Sequence, residues 1–509
     1  MVGNKNAKQR VCRVGASRPE ASGRIVPLQR GAGTGRTVWF SVALLLLSFA
    51  TAVSSQGQFT AHDPGVRETA VTVGGAVTGL SSAEMAAFAD GLSRFVTVNS
   101  VSGTVAGEPD NGLGPRFNSN SCGSCHAQPT TGGTSPSASQ YPFVGPNPQV
   151  AVATLDGATN TVPYFVAADG PVREARFVDV VANGAVTNVA DGGVHDLYTI
   201  TGRVDATNAP GPSGALQTCS IAQPNFGEMR NLHNIIFRIP TPVFGAGFIE
   251  NISDAAILEN LGDNAAAKQA LGISGQPNRS GNDGTITRFG WKAQNKSLEI
   301  FAGEAYSVEM GVSNELFPNE RPSPGGSLPA SCIFNGTPED TTNFGSSPTG
   351  TPSDVVAFAA FMRFLDQPAA SSTTPGGSAS IANGRNLFVN VVQCALCHTP
   401  QLRTAASSLA SGLNYQNANL FSDLLLHHMG SGLADGVSQG SAGPDQFRTA
   451  PLWGLGQRIF FLHDGRTSDL LSAIQQHASS GSEANGVIGR FNQLSGSQKQ
   501  DLLNFLRSL

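Results

Sequence analysis

The sequence predicts a mainly α-helical chain built as two tandem domains of one plan, the first enlarged by a β-rich insertion. Three observations predict it. A helical pattern followed by Cys-x-x-Cys-His occurs twice, at Cys122-Gly-Ser-Cys125-His126 and Cys394-Ala-Leu-Cys397-His398, 272 residues apart. Each half closes on a similar apolar helix, Phe361-Met-Arg363-Phe-Leu365 in one and Phe505-Leu-Arg507-Ser-Leu509 in the other. A stretch over about 140–240 instead alternates apolar and polar residues between turns.

The chain begins with a region unlike the rest. Residues 1–36 carry eight lysines and arginines against the single acid Glu20, the apolar run Val38–Ala50 follows, and Ala50-Thr51-Ala52 has the small residues of a cleavage site. That order is the order of a secretory signal, here 1–55 with an extended basic region, and the run is short for a membrane span. A periplasmic or secreted protein with no stable membrane span after processing is expected.

The first half, 56–367, opens on a helix over Ser82–Phe95, announced by a Ser-Ala-Glu-Met cap, and ends on one over Asp354–Leu365. Hairpins are expected inside it at Gln149–Leu155, Val162–Ala167, Ala175–Val181 and Asp196–Gly202. Such an insertion more often shapes an access path or an interface than supplies chemistry. Residues 368–379 (PAASSTTPGGSA) read as a linker, and 380–509 as the second domain, with helices over Ile381–Val392 and Lys499–Leu509.

Each Cys-x-x-Cys-His motif is a c-type haem attachment signature: two thiols add across the vinyl groups and the adjoining histidine takes the iron. Single motifs of this kind also serve as zinc, redox or disulfide half-sites, but two in one exported chain point to two covalently bound haem c. Cys122, Cys125, Cys394 and Cys397 are then the attachment residues, with His126 and His398 as iron ligands. Helix, motif, distal loops and closing helix is the plan of a cytochrome c domain.

Without residues 1–55 the chain carries 23 Lys/Arg against 35 Asp/Glu, which excludes nucleic acid as a natural partner and suits a basic electron donor, or simple solubility. Cys12 leaves with the signal, and Cys219 and Cys332 remain as candidates for a disulfide in an oxidising compartment. No acidic cluster demands calcium.

The C-terminal block Arg448-Thr-Ala-Pro-Leu-Trp453-Gly-Leu-Gly…Phe461-Leu-His463-Asp464-Gly465-Arg466…Ala473-Ile-Gln-Gln-His477 resembles the di-haem cytochrome c peroxidases and the maturation enzyme of methylamine dehydrogenase. The chain from 56 onward is similar to a less-characterised di-haem oxidoreductase family, labelled "putative peroxidase" or "thiol oxidoreductase". Gly112-Leu-Gly-Pro-Arg-Phe-Asn-Ser-Asn-Ser-Cys122, Arg238-Ile-Pro-Thr-Pro-Val-Phe-Gly-Ala-Gly-Phe-Ile-Glu250, Arg288-Phe-Gly-Trp291-Lys-Ala and Asp423-Leu-Leu-Leu-His-His-Met429-Gly carry that likeness. Where the family has an aspartate, this chain has His428.

The resemblance implies the remaining roles. The variable sixth ligand of the C-terminal haem lies fourteen residues after the His463 position, which makes His477 the ligand; the peroxidases have methionine there and the maturation enzyme tyrosine. Taken alone, His477 also reads as a surface histidine near a helix end. An open N-terminal haem would bind hydrogen peroxide beside a carboxyl group, for which Glu250 is the first candidate and Glu304 and Glu309 rivals. Trp291 or Trp453 would carry electrons between the haems, and Arg288, Lys292 and Arg466 would pair with propionates. Met310, Met429, His195, His233 and His427 are other groups that could reach the first iron, although such residues are more often core filler or structural. His427, after an apolar run, is expected near a haem. The expected activity is peroxide reduction with electrons from a small redox protein, a cytochrome c or cupredoxin. The alternatives are oxidation of an organic or protein substrate, or electron transfer without catalysis.

Overall fold

Two helices cross in the first half so closely that only glycine fits between them. The 82–96 helix packs on the helix of residues 354–364, and a Cβ at Gly91 would lie 2.2 Å from the Ala357 carbonyl oxygen. Its N-terminus is closed by a capping box in which Ser81 and Glu84 each satisfy the other's backbone N–H. Phe88 and Phe95, on the same face as Gly91, then pack at a tilt against Phe361, with ring centroids 5.6 and 4.9 Å apart. The second half repeats the arrangement: the helix of residues 377–386 crosses that of residues 496–508 at Gly384, and Phe388 meets Phe505 at 5.4 Å.

The computed structural model describes residues 59–67, 73–137, 146–182, 185–187, 193–211, 214, 216–322, 327–343, 351–406 and 410–509. The signal expected over 1–55, including Ala50-Thr51-Ala52, lies outside them. Among the described residues no helix is long and apolar enough to cross a membrane. Residues 57–509 form one compact unit. One core gathers Phe88, Phe95 and Phe361 of the first half with Leu402, Leu413, Leu424, Leu425 and Trp453 from beyond residue 380. A second surrounds Phe388, Phe491 and Phe505 and takes in Ala61 and Ile273. The expected linker ends inside a helix, since Gly377, Ser378 and Ala379 already belong to 377–386.

The insertion is less regular than its alternation implies. Glu174–Phe177 is the centre of an antiparallel sheet, flanked by Val194–His195 and Ile235–Arg238. Val180–Ala182 pairs with Ala185–Thr187, and Thr207–Pro210 with Leu216–Thr218. The strand expected over Gln149–Leu155 is instead a short helix over Pro148–Val152, started by the Asn147 side chain with proline at its first turn. Residues 162–167 form turns, and of 196–202 only Tyr198–Thr199 is a strand. Short two-stranded ladders also recur outside the insertion, at 278–287, 402–418 and 426–448. The architecture is therefore mixed, helical with small sheets, because Gly- and Pro-rich loops pair locally wherever they run side by side. Cys219 and Cys332 form a disulfide that ties the insertion to the segment before the 354–364 helix.

Candidate functional site

Both Cys-x-x-Cys-His motifs fold as a single helical turn, which sets the two thiols and the histidine on one side. His126 N–H donates to the Cys122 carbonyl at 3.1 Å, and His398 N–H to the Cys394 carbonyl at 2.9 Å. The four thiols are free. Burial pushes Cys122 and Cys394 up to about 12, and Cys125 to about 11, so these remain neutral thiols. Each turn opens into its own cavity, of about 170 Å³ at the first motif and about 230 Å³ at the second.

In the second cavity His398 and His477 are both lining residues. The Nδ1–H of His398 donates to the Phe421 carbonyl at 3.0 Å, and that of His477 to the Ala473 carbonyl at 2.8 Å. Each ring therefore keeps its lone pair on Nε2, as a metal-ligating histidine must. Burial holds His398 down at about 4 and lowers His477 as well, so both are neutral. His427 lines the same cavity 3.9 Å from Cys397 Sγ, but both its nitrogens are engaged, Nδ1 by Glu483 at 2.7 Å and Nε2 by Asp423 at 2.9 Å. Burial alone would lower it; Asp423, together with Cys397, wins and holds it well above the usual histidine value. It cannot offer a lone pair. His463 is buried in this wall, stacked on Phe447 at 4.4 Å. His428, half exposed, pairs with Asp445 at 2.9 Å.

The first cavity has one histidine in its lining, His126, whose Nδ1–H donates to the Gly133 carbonyl at 3.0 Å. The same lining includes Glu174, Glu304 and Glu309 with Arg173, Arg176 and Arg238. Burial, reinforced by the charge of Glu174, pushes Glu309 up to about 8 against an opposing hydrogen bond from Asn118 at 3.0 Å. It is protonated at neutral pH. Met310 and Met362 also line this cavity, and Met310 Sδ lies 3.7 Å from Cys122 Sγ.

Four residues expected at the haem sites have other partners. Glu250 is not in the first cavity: its Oε1 accepts the Leu298 N–H at 2.9 Å, capping the 298–309 helix, and its Oε2 accepts from Arg363 Nε at 2.7 Å. The turn after Gly245 aims it at that helix rather than at His126. Arg288 is tied to Asp254 and the Ile252 carbonyl, and Arg466 to Asp464 at 2.7 Å and the Gly432 carbonyl, both away from the cavities. Lys292 is fully buried on Asp435 at 3.0 Å. The structure separates the two tryptophans. Trp291, its Nε1–H donating to the Ile239 carbonyl at 2.9 Å, lines both cavities, whereas Trp453 borders neither. Trp453 lines a small third cavity of about 40 Å³, which Trp291, Arg448 and Arg458 also border. Glu174, Arg448 and Arg458 were not singled out by sequence, where each reads as an ordinary charged residue. Among the described residues no cluster of three or more His, Cys, Asp or Glu side chains is placed to hold a metal ion without such a cofactor.

Among solved structures, the hydrazine synthase of Kuenenia stuttgartiensis is 17% identical with a TM-score of 0.21, covering 31% of this chain and 56% of that one. A MauG-like protein associated with microbial copper homeostasis is 14% identical with a TM-score of 0.24, covering 53% and 89%. No curated protein matches the chain. The family model described as "Di-haem oxidoreductase, putative peroxidase" matches residues 226–509, more than half of the sequence. The chain belongs to that family of di-haem oxidoreductases.

Proposed function

We propose that the chain carries two haem c in the manner of tandem cytochrome c domains, one on Cys122, Cys125 and His126 and one on Cys394, Cys397 and His398, and reduces hydrogen peroxide at the first. The residues fit the group: each cavity offers two free thiols beside a neutral histidine whose Nε2 keeps its lone pair. When bound, haem supplies the one-electron chemistry and the activation of an iron-bound oxygen ligand.

The observation that carries the reading is the asymmetry of the cavities. His477 joins His398 in one, whereas the other has His126 as its lone histidine and carboxyl groups in its lining. His477 would close the second site and leave the first exchangeable. Reduction of hydrogen peroxide to two waters consumes two electrons and two protons. Glu309, protonated and lining the first cavity, replaces Glu250 as the group that holds a proton for the departing oxygen, with the charge of Glu174 favouring that protonated form. Trp291, walling both cavities, is the side chain across which electrons from a small redox protein, a cytochrome c or cupredoxin, would reach the first site. The disulfide and the acidic balance suit a periplasmic or secreted setting.

A second reading has its own support. Met310 and Met362 line the first cavity, and ligation by either would make a non-catalytic electron carrier. Mixing the reduced holoprotein with hydrogen peroxide distinguishes them: consumption of one peroxide per two electrons supports the peroxidase, and inertness with no exchangeable site supports the carrier. Oxidation of an organic or protein substrate without added reductant would favour the maturation-type reaction instead.

A further inference from the structure

The arginines of the interior differ in their partners. Arg203, Arg238, Arg288 and Arg507 each pair with a carboxylate, from Glu108, Asp435, Asp254 and Asp63 respectively. Arg448 and Arg458 do not. Arg448 is 8% exposed, yet its hydrogen bonding is limited to Nε on the Gly290 carbonyl at 3.1 Å. Arg458 uses one nitrogen, Nη2, on the carbonyls of Pro451 at 2.7 Å and Trp453 at 3.4 Å. Among the described residues no acid lies within ion-pair distance of either, and the charged group acting on Arg448 is Arg458 itself. Burial, with that repulsion added for Arg448, pushes both down to about 10, still protonated at neutral pH.

Two like charges held at the wall of an apolar cavity without a counter-ion are costly unless an anion completes the site. The unused donors, both terminal nitrogens of Arg448 and Nε and Nη1 of Arg458, belong to side chains that line the cavity of the second motif. The rest of that wall includes Phe388, Leu455, Phe461 and Leu502, which a small inorganic anion would leave unfilled. A flat apolar ring system with carboxylates on one edge satisfies both features. We infer that Arg448 and Arg458 form a two-guanidinium clamp for a propionate carboxylate of the haem held by Cys394, Cys397 and His398. This rests on the di-haem reading above. It also replaces Arg288 and Arg466, whose donors are already taken.

The test uses the holoprotein. Mass spectrometry first counts haem on the chain, and a spectroelectrochemical titration over about pH 4 to 8 then follows the low-spin haem. A clamped propionate stays ionised, so the wild-type potential is expected to be flat through the carboxylate range. Arg448→Gln or Arg458→Gln should lower it at neutral pH and make it fall as pH rises, because the released propionate then titrates beside the iron. Arg448→Lys should recover most of the neutral-pH potential, and Arg466→Gln should change nothing. Two attached haems with potentials indifferent to both glutamine variants would overturn the clamp and leave the di-haem reading standing. Should the variants not fold, a wild-type potential that already falls across this range overturns it equally. A chain with no haem on Cys394 and Cys397 overturns both.

Discussion

Gly384 lies directly against the backbone of Asp501: a Cβ at residue 384 would sit 2.0 Å from the Asp501 carbonyl oxygen. Gly91 stands in the same relation to Ala357, at 2.2 Å. In both halves a phenylalanine four residues on, Phe95 or Phe388, reaches the motif histidine, with ring centroids 5.9 Å from His126 and 6.3 Å from His398. The glycine sets how closely the helices cross, and the crossing sets where the phenylalanine supports the histidine. Gly91→Ala and Gly384→Ala are each expected to destabilise by about 2 kcal/mol or more, since backbone must move to admit the methyl group. Thermal melts of the holoprotein check this, and melts unchanged by both substitutions would contradict it.

Asp63 ties the segment of residues 59–67 to the last helix. Both its oxygens accept from fully buried Arg507, at 2.7 and 2.6 Å, and also from the N–H groups of Gly65 and Leu470. Asp63→Asn should cost about 3–5 kcal/mol by leaving Arg507 buried without its partner. Burial raises the Asp63 carboxyl, but Arg507 and the backbone donors win and hold it below its usual value. A depressed carboxylate stabilises above its unfolded pKa and loses that contribution as pH falls through the folded one. Acid unfolding below about pH 4 should therefore be steeper in the wild type than in Asp63→Asn.

The Cys219–Cys332 disulfide closes a loop of 113 residues. Replacing both with serine is expected to destabilise by about 2–4 kcal/mol, read as a lower denaturant midpoint. Reduction under native conditions should have the same direction.

The carboxyl groups separate by role. Glu309→Gln should slow peroxide reduction by about 100-fold or more while leaving the melting temperature nearly unchanged. Glu250→Gln should do the reverse, because it loses a helix cap and the Arg363 pair. Steady-state peroxide consumption beside thermal melts of the two variants checks the assignment.

Local features were legible in the sequence. The four helices flanking the two motifs and the thiol–histidine turns depend on neighbours within a few residues; the cap expected at Ser82 falls one residue earlier, on Ser81. His477 was reachable through its register to His463, and the structure brings it to the cavity of His398. Glu250 was misassigned because a carboxylate at a helix start reads alike whether it faces a cavity or caps a neighbouring helix 48 residues away. The Arg448–Arg458 pair was invisible because its signal is a missing partner, and absence of an acid is a property of three dimensions. Alternation over 149–155 suggested a strand, but Asn147 and Pro148 start a helix there instead.

The most direct measurement of the central claim is a low-temperature EPR spectrum of the fully ferric holoprotein, beside that of His477→Ala. The account predicts one high-spin signal from the haem on His126 and one low-spin signal from the haem on His398, with the low-spin signal lost in the variant. Two low-spin signals unchanged by one-electron reduction, by peroxide and by the substitution would contradict it, and would leave an electron carrier whose sixth ligands are other residues.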